Sequence, residues 1–184
     1  MSREMWYLTR SSGVVAAVLM VAALLWGFLF SSRETGKRLR PAWWLDLHNY
    51  LGGLSLVFVA IHIVASMLDA NSGIGLKEIF VPGSAADGWA IGWGVLATYA
   101  LVVVVFTTWP RRLANRFWWR VIHVTSVPAT ALALLHGYQS GSDASQLWFR
   151  AGLLVAVGVS TYALGLRLFG LDRSGRRRAS ARAA

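Results

Sequence analysis

The chain has 184 residues, 56% of them hydrophobic and only 14% charged, with ten tryptophans and a mean hydropathy of +0.52, which excludes an ordinary soluble domain and points to a protein of the lipid bilayer. A net charge of +10 would suit a nucleic-acid binder, but sorted along the chain the charge follows the membrane sides and the anionic headgroups, so no nucleic-acid partner is expected. The absence of cysteine excludes disulfides and covalently attached c-type haem.

Five apolar runs follow one another, at 13–30, 45–68, 89–108, 121–138 and 147–169, each close to the ~20 residues that cross a hydrocarbon core. The first, GVVAAVLMVAALLWGFLF, is too long for the h-region of a signal peptide and is followed by SSRETGKR, without an A-x-A site, so it reads as a helix. The second, LDLHNYLGGLSLVFVAIHIVASML, holds His48 and His62, fourteen positions apart. The third, WAIGWGVLATYALVVVVFTT, carries no charge. The fourth, VIHVTSVPATALALLHGY, holds His123 and His136 on either side of Pro128, and the fifth leads into an arginine-rich tail. Nothing resembles a phosphate loop or a GxGxxG turn. The expectation is an all-α membrane protein, a bundle of five transmembrane helices over residues 1–170, with a basic tail at 171–184 that is expected to be disordered.

Fourteen of the eighteen Lys and Arg residues fall in the loops 31–44 and 109–120 and in the tail, including Arg33, Lys37, Arg38, Arg40, Arg111, Arg112, Arg116 and Arg120. Arg3, Arg10, Lys77 and Arg150 are the remainder. The positive-inside rule therefore puts the N-terminus outside and the C-terminus in the cytoplasm, in a multi-pass protein of a bacterial inner or plasma membrane. Trp43, Trp44, Trp109, Trp118 and Trp119 then fall at cytoplasmic helix ends and Trp6, Tyr7, Trp89 and Trp148 at outer ends, where interfacial anchoring is their expected role.

All four histidines lie in the second and fourth runs, none in a loop or tail. Both runs cross in the same direction, so His48 is level with His123 and His62 with His136. The levels are about 20 Å apart along the helices, too far for one metal ion but suitable for two stacked sites. Two imidazoles without Cys, Met or acidic neighbours suit haem iron, whose macrocycle supplies four nitrogens, better than zinc, which wants further protein ligands. With no cysteine the haems would be b-type. The alternative is that the histidines only hydrogen-bond to neighbouring helices.

Helical phase supports one helix and not the other. Fourteen residues bring His62 within about 40° of His48, whereas thirteen leave His136 about 140° from His123. Pro128 removes a backbone donor between them and is the expected place for a kink to absorb the difference. Gly52, Gly53 and Gly137, near the histidines, suit either close approach of a macrocycle or plain helix packing. Phe58 and Val59, between the levels, are expected to be core.

The spacings H-x13-H and H-x12-H, with RRLANRFWWRVIH leading into the second pair and WYLTRSSG and LHGYQSGSD beyond, resemble the ferric reductase-like transmembrane domain family. That family includes ferric reductases, the NADPH oxidase membrane core and the haem subunit of a periplasmic methionine sulfoxide reductase, and the likeness covers about residues 6–170. It implies a cytochrome with two haems b, an inner one on His48 and His123 and an outer one on His62 and His136, passing electrons from the cytoplasm to an extracytoplasmic acceptor. Larger members carry a flavin and nicotinamide module after a sixth helix. Here the chain ends in DRSGRRRASARAA after five, so the expected donor is a cytoplasmic flavin reductase or a quinol. Arg120 for the inner haem and Arg10 for the outer are candidates for the propionates, against a role as snorkelling interfacial arginines.

Two other functions compete. A self-contained ferric or oxygen reductase would bind its acceptor at LDANSGIGLKEIFVPGSAADG or QSGSDASQ, which contain no histidine or cysteine. A haem-binding sensor or scaffold would use the basic tail for partners. Alkaline phosphatase fused after residue 184 is expected to be inactive and the same reporter inside the loop 71–86 active; the reverse pattern would exchange the inner and outer labels.

Overall fold

The structure, a computed structural model, describes residues 2–32, 41–108 and 115–183. The basic residues of 33–40, together with Arg111, Arg112 and Trp109, lie outside the described residues. The described chain is helical: α1 Ser2–Ser32, α2 Pro41–Leu68, α3 Leu76–Phe80, α4 Trp89–Thr108, α5 Arg116–Val124, α6 Ser126–Ser140 and α7 Leu147–Ala183. Five stretches are long and apolar enough to cross a membrane, Arg3–Ser31, Ala42–Leu68, Trp89–Thr108, Arg116–Ser140 and Leu147–Leu168. Helix is the form an apolar span must take when no water can satisfy its backbone. The chain is therefore a multi-pass membrane protein, with five candidate membrane-spanning helices among the described residues. The backbone of α7 stays helical through 171–183, where the sequence suggests a disordered tail.

The bundle consists of two helical hairpins, α1 against α2 and α4 against α6, with α7 laid along α1. Small residues make the first contact close: Ser12, Ala16 and Ala23 on α1 and Ser55 and Ala65 on α2 are all buried, as expected where apolar helices associate by backbone approach. The serine hydroxyls bond within their own helices, Ser55 Oγ to Gly52 O at 2.7 Å. Met20, Leu101 and Ala129 form the centre of the bundle, with Leu56, Val59 and Ala133 packed on them. Val59 is core, as expected. By sequence position this apolar plug lies between the two histidine levels. Large side chains such as Leu154 and Phe106 point outward, which suits a molecule whose solvent is lipid.

Two tryptophans depart from the anchoring role. Trp44 is buried and stacks on Trp26 of α1, centroids 4.1 Å apart and planes at 19°. Trp26 Nε1 donates to Trp44 O at 3.1 Å and Trp44 Nε1 to Trp26 O at 3.3 Å. The reciprocal pair locks the end of α1 to the start of α2, using indole donors that would otherwise be unsatisfied in apolar surroundings. Trp119 stacks on His123. At the same end of α1, Arg167 of α7 donates to Ser31 O at 3.0 Å, capping a carbonyl that the helix leaves open.

The fourth span is broken in the middle. Pro128 has no N–H to give Val124 O, and its ring crowds that carbonyl. The chain responds with a turn at Thr125, whose N–H and hydroxyl both bond Ile122 O, at 3.0 and 2.6 Å. Helix resumes at Ser126, placing Pro128 in the first turn of α6, where a missing donor costs little. Pro128→Ala is expected to let α5 and α6 fuse and rotate residue 123 away from α2. With cysteines at positions 48 and 123, a short thiol crosslinker should join them several-fold less in the Pro128→Ala background; an equal yield would show that something other than Pro128 maintains the break.

Candidate functional site

The structure brings the four histidines together as two pairs. His48 of α2 faces His123 of α5, ring centroids 5.8 Å apart and planes at 62°. His62 of α2 faces His136 of α6, centroids 6.1 Å apart and planes at 75°. The phase mismatch of the fourth span is thus absorbed between its two histidines, where the turn at Thr125 lies.

Three of the four rings are held in the same way. His62 Nδ1 lies 2.8 Å from Thr9 O, His48 Nδ1 3.0 Å from Ala23 O and His136 Nδ1 2.8 Å from Ala90 O. A carbonyl only accepts, so each Nδ1 must carry the proton, and each Nε2 is left with a free lone pair. None of the four Nε2 atoms has a hydrogen-bond partner among the described residues.

Beside each accepting carbonyl, four residues on, stands a glycine. A Cβ at Gly13 would come 2.9 Å from His62 Nδ1, one at Gly27 3.1 Å from His48 Cε1 and one at Gly94 3.0 Å from the His136 ring. The missing side chain makes a notch into which the imidazole settles, and the helix turn before it supplies the acceptor. On α1 and α2 the two notches share one antiparallel register: Gly13 and Gly27 are separated by the same fourteen residues as His48 and His62. These glycines escaped the sequence reading, although the matching interval was there to find. Of the glycines it did single out, Gly52 has open space where a Cβ would be and Gly137 meets only Phe149 at 3.8 Å.

His123 is held differently. Its ring lies on Trp119, centroids 4.8 Å apart and planes at 17°, and its Nδ1 is buried without a hydrogen-bond partner.

Arg10 is engaged by Asp143, through Nε to Oδ2 at 2.9 Å and a second, close contact from the terminal nitrogen to Oδ1. Its guanidinium also covers the Trp6 ring at 4.0 Å. The pair ties α1, next to the Thr9 carbonyl that holds His62, to the loop following His136. Asp143 was missed in the sequence because a single carboxylate in QSGSDASQ shows no pattern. Arg120 is exposed on α5, one turn before His123, without an ion pair among the described residues. Arg150 donates to Ala144 O at 2.7 Å and lines an apolar cavity of 650 Å³ between α6 and α7, bordered by Leu24, Leu134 and Leu153, which none of the four histidines reaches.

Among the described residues no group of three or more His, Asp or Glu side chains is placed to hold a bare metal ion. The arrangement offers two imidazoles per level and leaves the rest of any coordination sphere to another molecule. Two imidazoles sharing one metal through Nε2, with bonds of about 2.0 Å and about 1.1 Å from nitrogen to ring centre, stand about 6 Å apart. Both observed separations fit.

A family model described as the ferric reductase-like transmembrane component matches residues 12–134, which include His48, His62 and His123 and end two residues before His136. Nothing matches among curated proteins or solved structures.

The notches make a stability prediction. Gly13→Ala and Gly94→Ala should displace a ring from its carbonyl and lower stability by about 1–3 kcal/mol, the cost of an unpaired buried donor. Gly152→Ala and Gly158→Ala, where a Cβ meets nothing within 4 Å, should be neutral or stabilising by up to about 1 kcal/mol from helix propensity. Thermal melts in detergent decide it, and equal melting of both classes would remove the notch from the account.

Proposed function

The chain belongs to the ferric reductase-like transmembrane component family, and from that membership together with its two facing histidine pairs we propose that it is a di-haem b-type cytochrome carrying electrons across the membrane. Domains of this family generally bind haem and are associated with transmembrane electron transfer. The observation that carries the reading is the pairing of the four imidazoles, ring centroids 5.8 and 6.1 Å apart, with Nδ1 of three of them bonded to a carbonyl and their Nε2 left free. Paired imidazoles in an apolar bundle, with ring nitrogens left without a partner, suit an electrophile between them, and an iron already surrounded by macrocycle nitrogens would supply it.

In this reading His48 and His123 hold the inner haem and His62 and His136 the outer one. Bound haem supplies a one-electron iron couple at each level. The protein's own contribution is to fix which nitrogen is the ligand. The carbonyls of Thr9, Ala23 and Ala90 keep the proton on Nδ1 and add basicity to Nε2. The plug of Met20, Leu101 and Ala129 excludes water between the levels and keeps their separation constant. Arg120 serves the inner propionates, where its exposed guanidinium has no competing ion pair. Arg10 is a weaker candidate at the outer level, since Asp143 engages it, and its better-supported role is to fix α1 against the loop after α6.

In this reading, which the distribution of Lys and Arg supports, the donor is a flavin reductase or a quinol on the cytoplasmic side and the acceptor lies outside. His62→Ala or His136→Ala should leave about half the haem per chain, still reducible by the cytoplasmic donor. His48→Ala or His123→Ala should remove the inner haem and block that donor, while dithionite still reduces the outer haem. Pyridine haemochrome stoichiometry and stopped-flow reduction read both effects. Equal loss of haem from all four variants would mean a single site or two interdependent ones, and a haem-free parent, expressed with ample haem, would defeat the proposal.

A further inference from the structure

The fifth span stands apart from the histidine pairs. α7 packs along α1, and between α7 and α6 runs the apolar cavity of 650 Å³, lined by Leu24 of α1, Leu134 and Tyr138 of α6, and Arg150, Leu153 and Leu164 of α7. Its volume is that of a ligand site, but its form is a slot. From Arg150 to Leu164 is fourteen residues, about 21 Å along a helix axis. One leaflet of the hydrocarbon core is about 15 Å deep, half of the ~30 Å total. The slot therefore follows the spanning helix for more than the depth of a leaflet. Leu154 and Tyr138 line it and are exposed, so it opens sideways to the bilayer.

One end of the slot is charged. Arg150 lies in the first turn of α7, after the loop that follows His136. Its Nε donates to Ala144 O at 2.7 Å, which holds the guanidinium in place, and its terminal nitrogens have no partner among the described residues. No carboxylate among the described residues lines the slot, and Asp143, in the adjoining loop, is engaged by Arg10. A held guanidinium with free N–H groups, at the mouth of an apolar slot, complements a molecule with an anion at one end and a long hydrocarbon at the other. Ten residues further along α7, about 15 Å, Ser160 Oγ is buried without a partner. A helical serine can return its hydroxyl to the carbonyl four residues before it, so that atom does not demand a polar ligand.

We propose that the slot between α6 and α7 is a binding site for one anionic phospholipid, its phosphate on Arg150 and one acyl chain between the two helices. The lipid fills the space that α7 leaves by packing on α1, and so joins the fifth span to α6. The site is separate from both histidine pairs and does not depend on the haem proposed for them. A merely snorkelling arginine would attract anionic headgroups without needing the slot, and variants of the slot itself separate the two cases.

The test takes the full chain as purified, exchanged into nanodiscs of equal phosphatidylglycerol and phosphatidylethanolamine and released for native mass spectrometry. The parent is expected to retain one phosphatidylglycerol per chain. Arg150→Gln should weaken that binding about tenfold, and Arg150→Lys less, since a point charge then replaces a forked donor. Arg3→Gln, at an exposed arginine near the start of α1, should leave it unchanged. Ala131→Phe on α6 and Thr161→Phe on α7 each put a ring into the slot with Arg150 intact and should weaken binding several-fold. Binding equal to the parent's in both would reduce Arg150 to a snorkelling cation and overturn the proposal. Thermal melts in detergent give a second reading: added phosphatidylglycerol should raise the melting temperature of the parent and not of Arg150→Gln. Phosphatidylethanolamine retained as well as phosphatidylglycerol, a neutral isoprenoid quinone as the bound mass in its place, or equal stabilisation by millimolar inorganic phosphate would each overturn the assignment.

Discussion

An imidazole inside a membrane has two nitrogens to account for, and at three of this protein's four histidines the helix backbone satisfies only one of them. Carbonyl groups in a helix are normally committed to the N–H four residues on, so a side chain that reaches one must enter the groove between turns. Gly13, Gly27 and Gly94 open that groove for His62, His48 and His136. The remaining nitrogen of each ring is then committed by elimination to whatever lies between the helices. Much of the bundle follows from this: α1 must lie against α2 along its length to serve both His48 and His62, and α4 must lie against α6 to serve His136.

The rest of the structure keeps those contacts in register. The reciprocal Trp26–Trp44 pair closes one end of the α1–α2 hairpin. The Arg10–Asp143 pair fixes α1 to the loop after α6. An ion pair of this kind is costly to desolvate unless its geometry is good; the two-point contact and the Trp6 face over the guanidinium supply that geometry. Pro128 acts in the opposite sense, by breaking a helix. Without the turn at Thr125, one continuous helix would place His123 and His136 about 140° apart, and only one of them could face α2.

The five spans and the level pairing of the histidines were legible in the sequence because both depend on simple periods, ~20 apolar residues per crossing and 1.5 Å of rise per residue. The break at Pro128 was legible as a need: the phase of His123 and His136 did not close without it. The glycines were read too locally. Gly52 and Gly137 attract notice as neighbours of histidines in the chain, whereas the glycines that matter belong to other helices and show themselves only when α1 is set antiparallel to α2. Trp44 and Trp119 sit where interfacial tryptophans belong, and composition does not distinguish an anchoring indole from one stacked on a tryptophan or a histidine. Nor does it reveal that Arg10, with a propionate in prospect, has a carboxylate at hand in Asp143.

Electron paramagnetic resonance of the oxidised, purified chain tests the central claim most directly, because it reports the axial ligands of ferric haem without needing a donor or an acceptor. Imidazole planes at 62° and 75° predict two low-spin signals, both of the strongly anisotropic kind produced by crossed axial rings. A predominantly high-spin signal, or a single low-spin species whose intensity accounts for all the haem, would contradict two sites each closed by a pair of histidines.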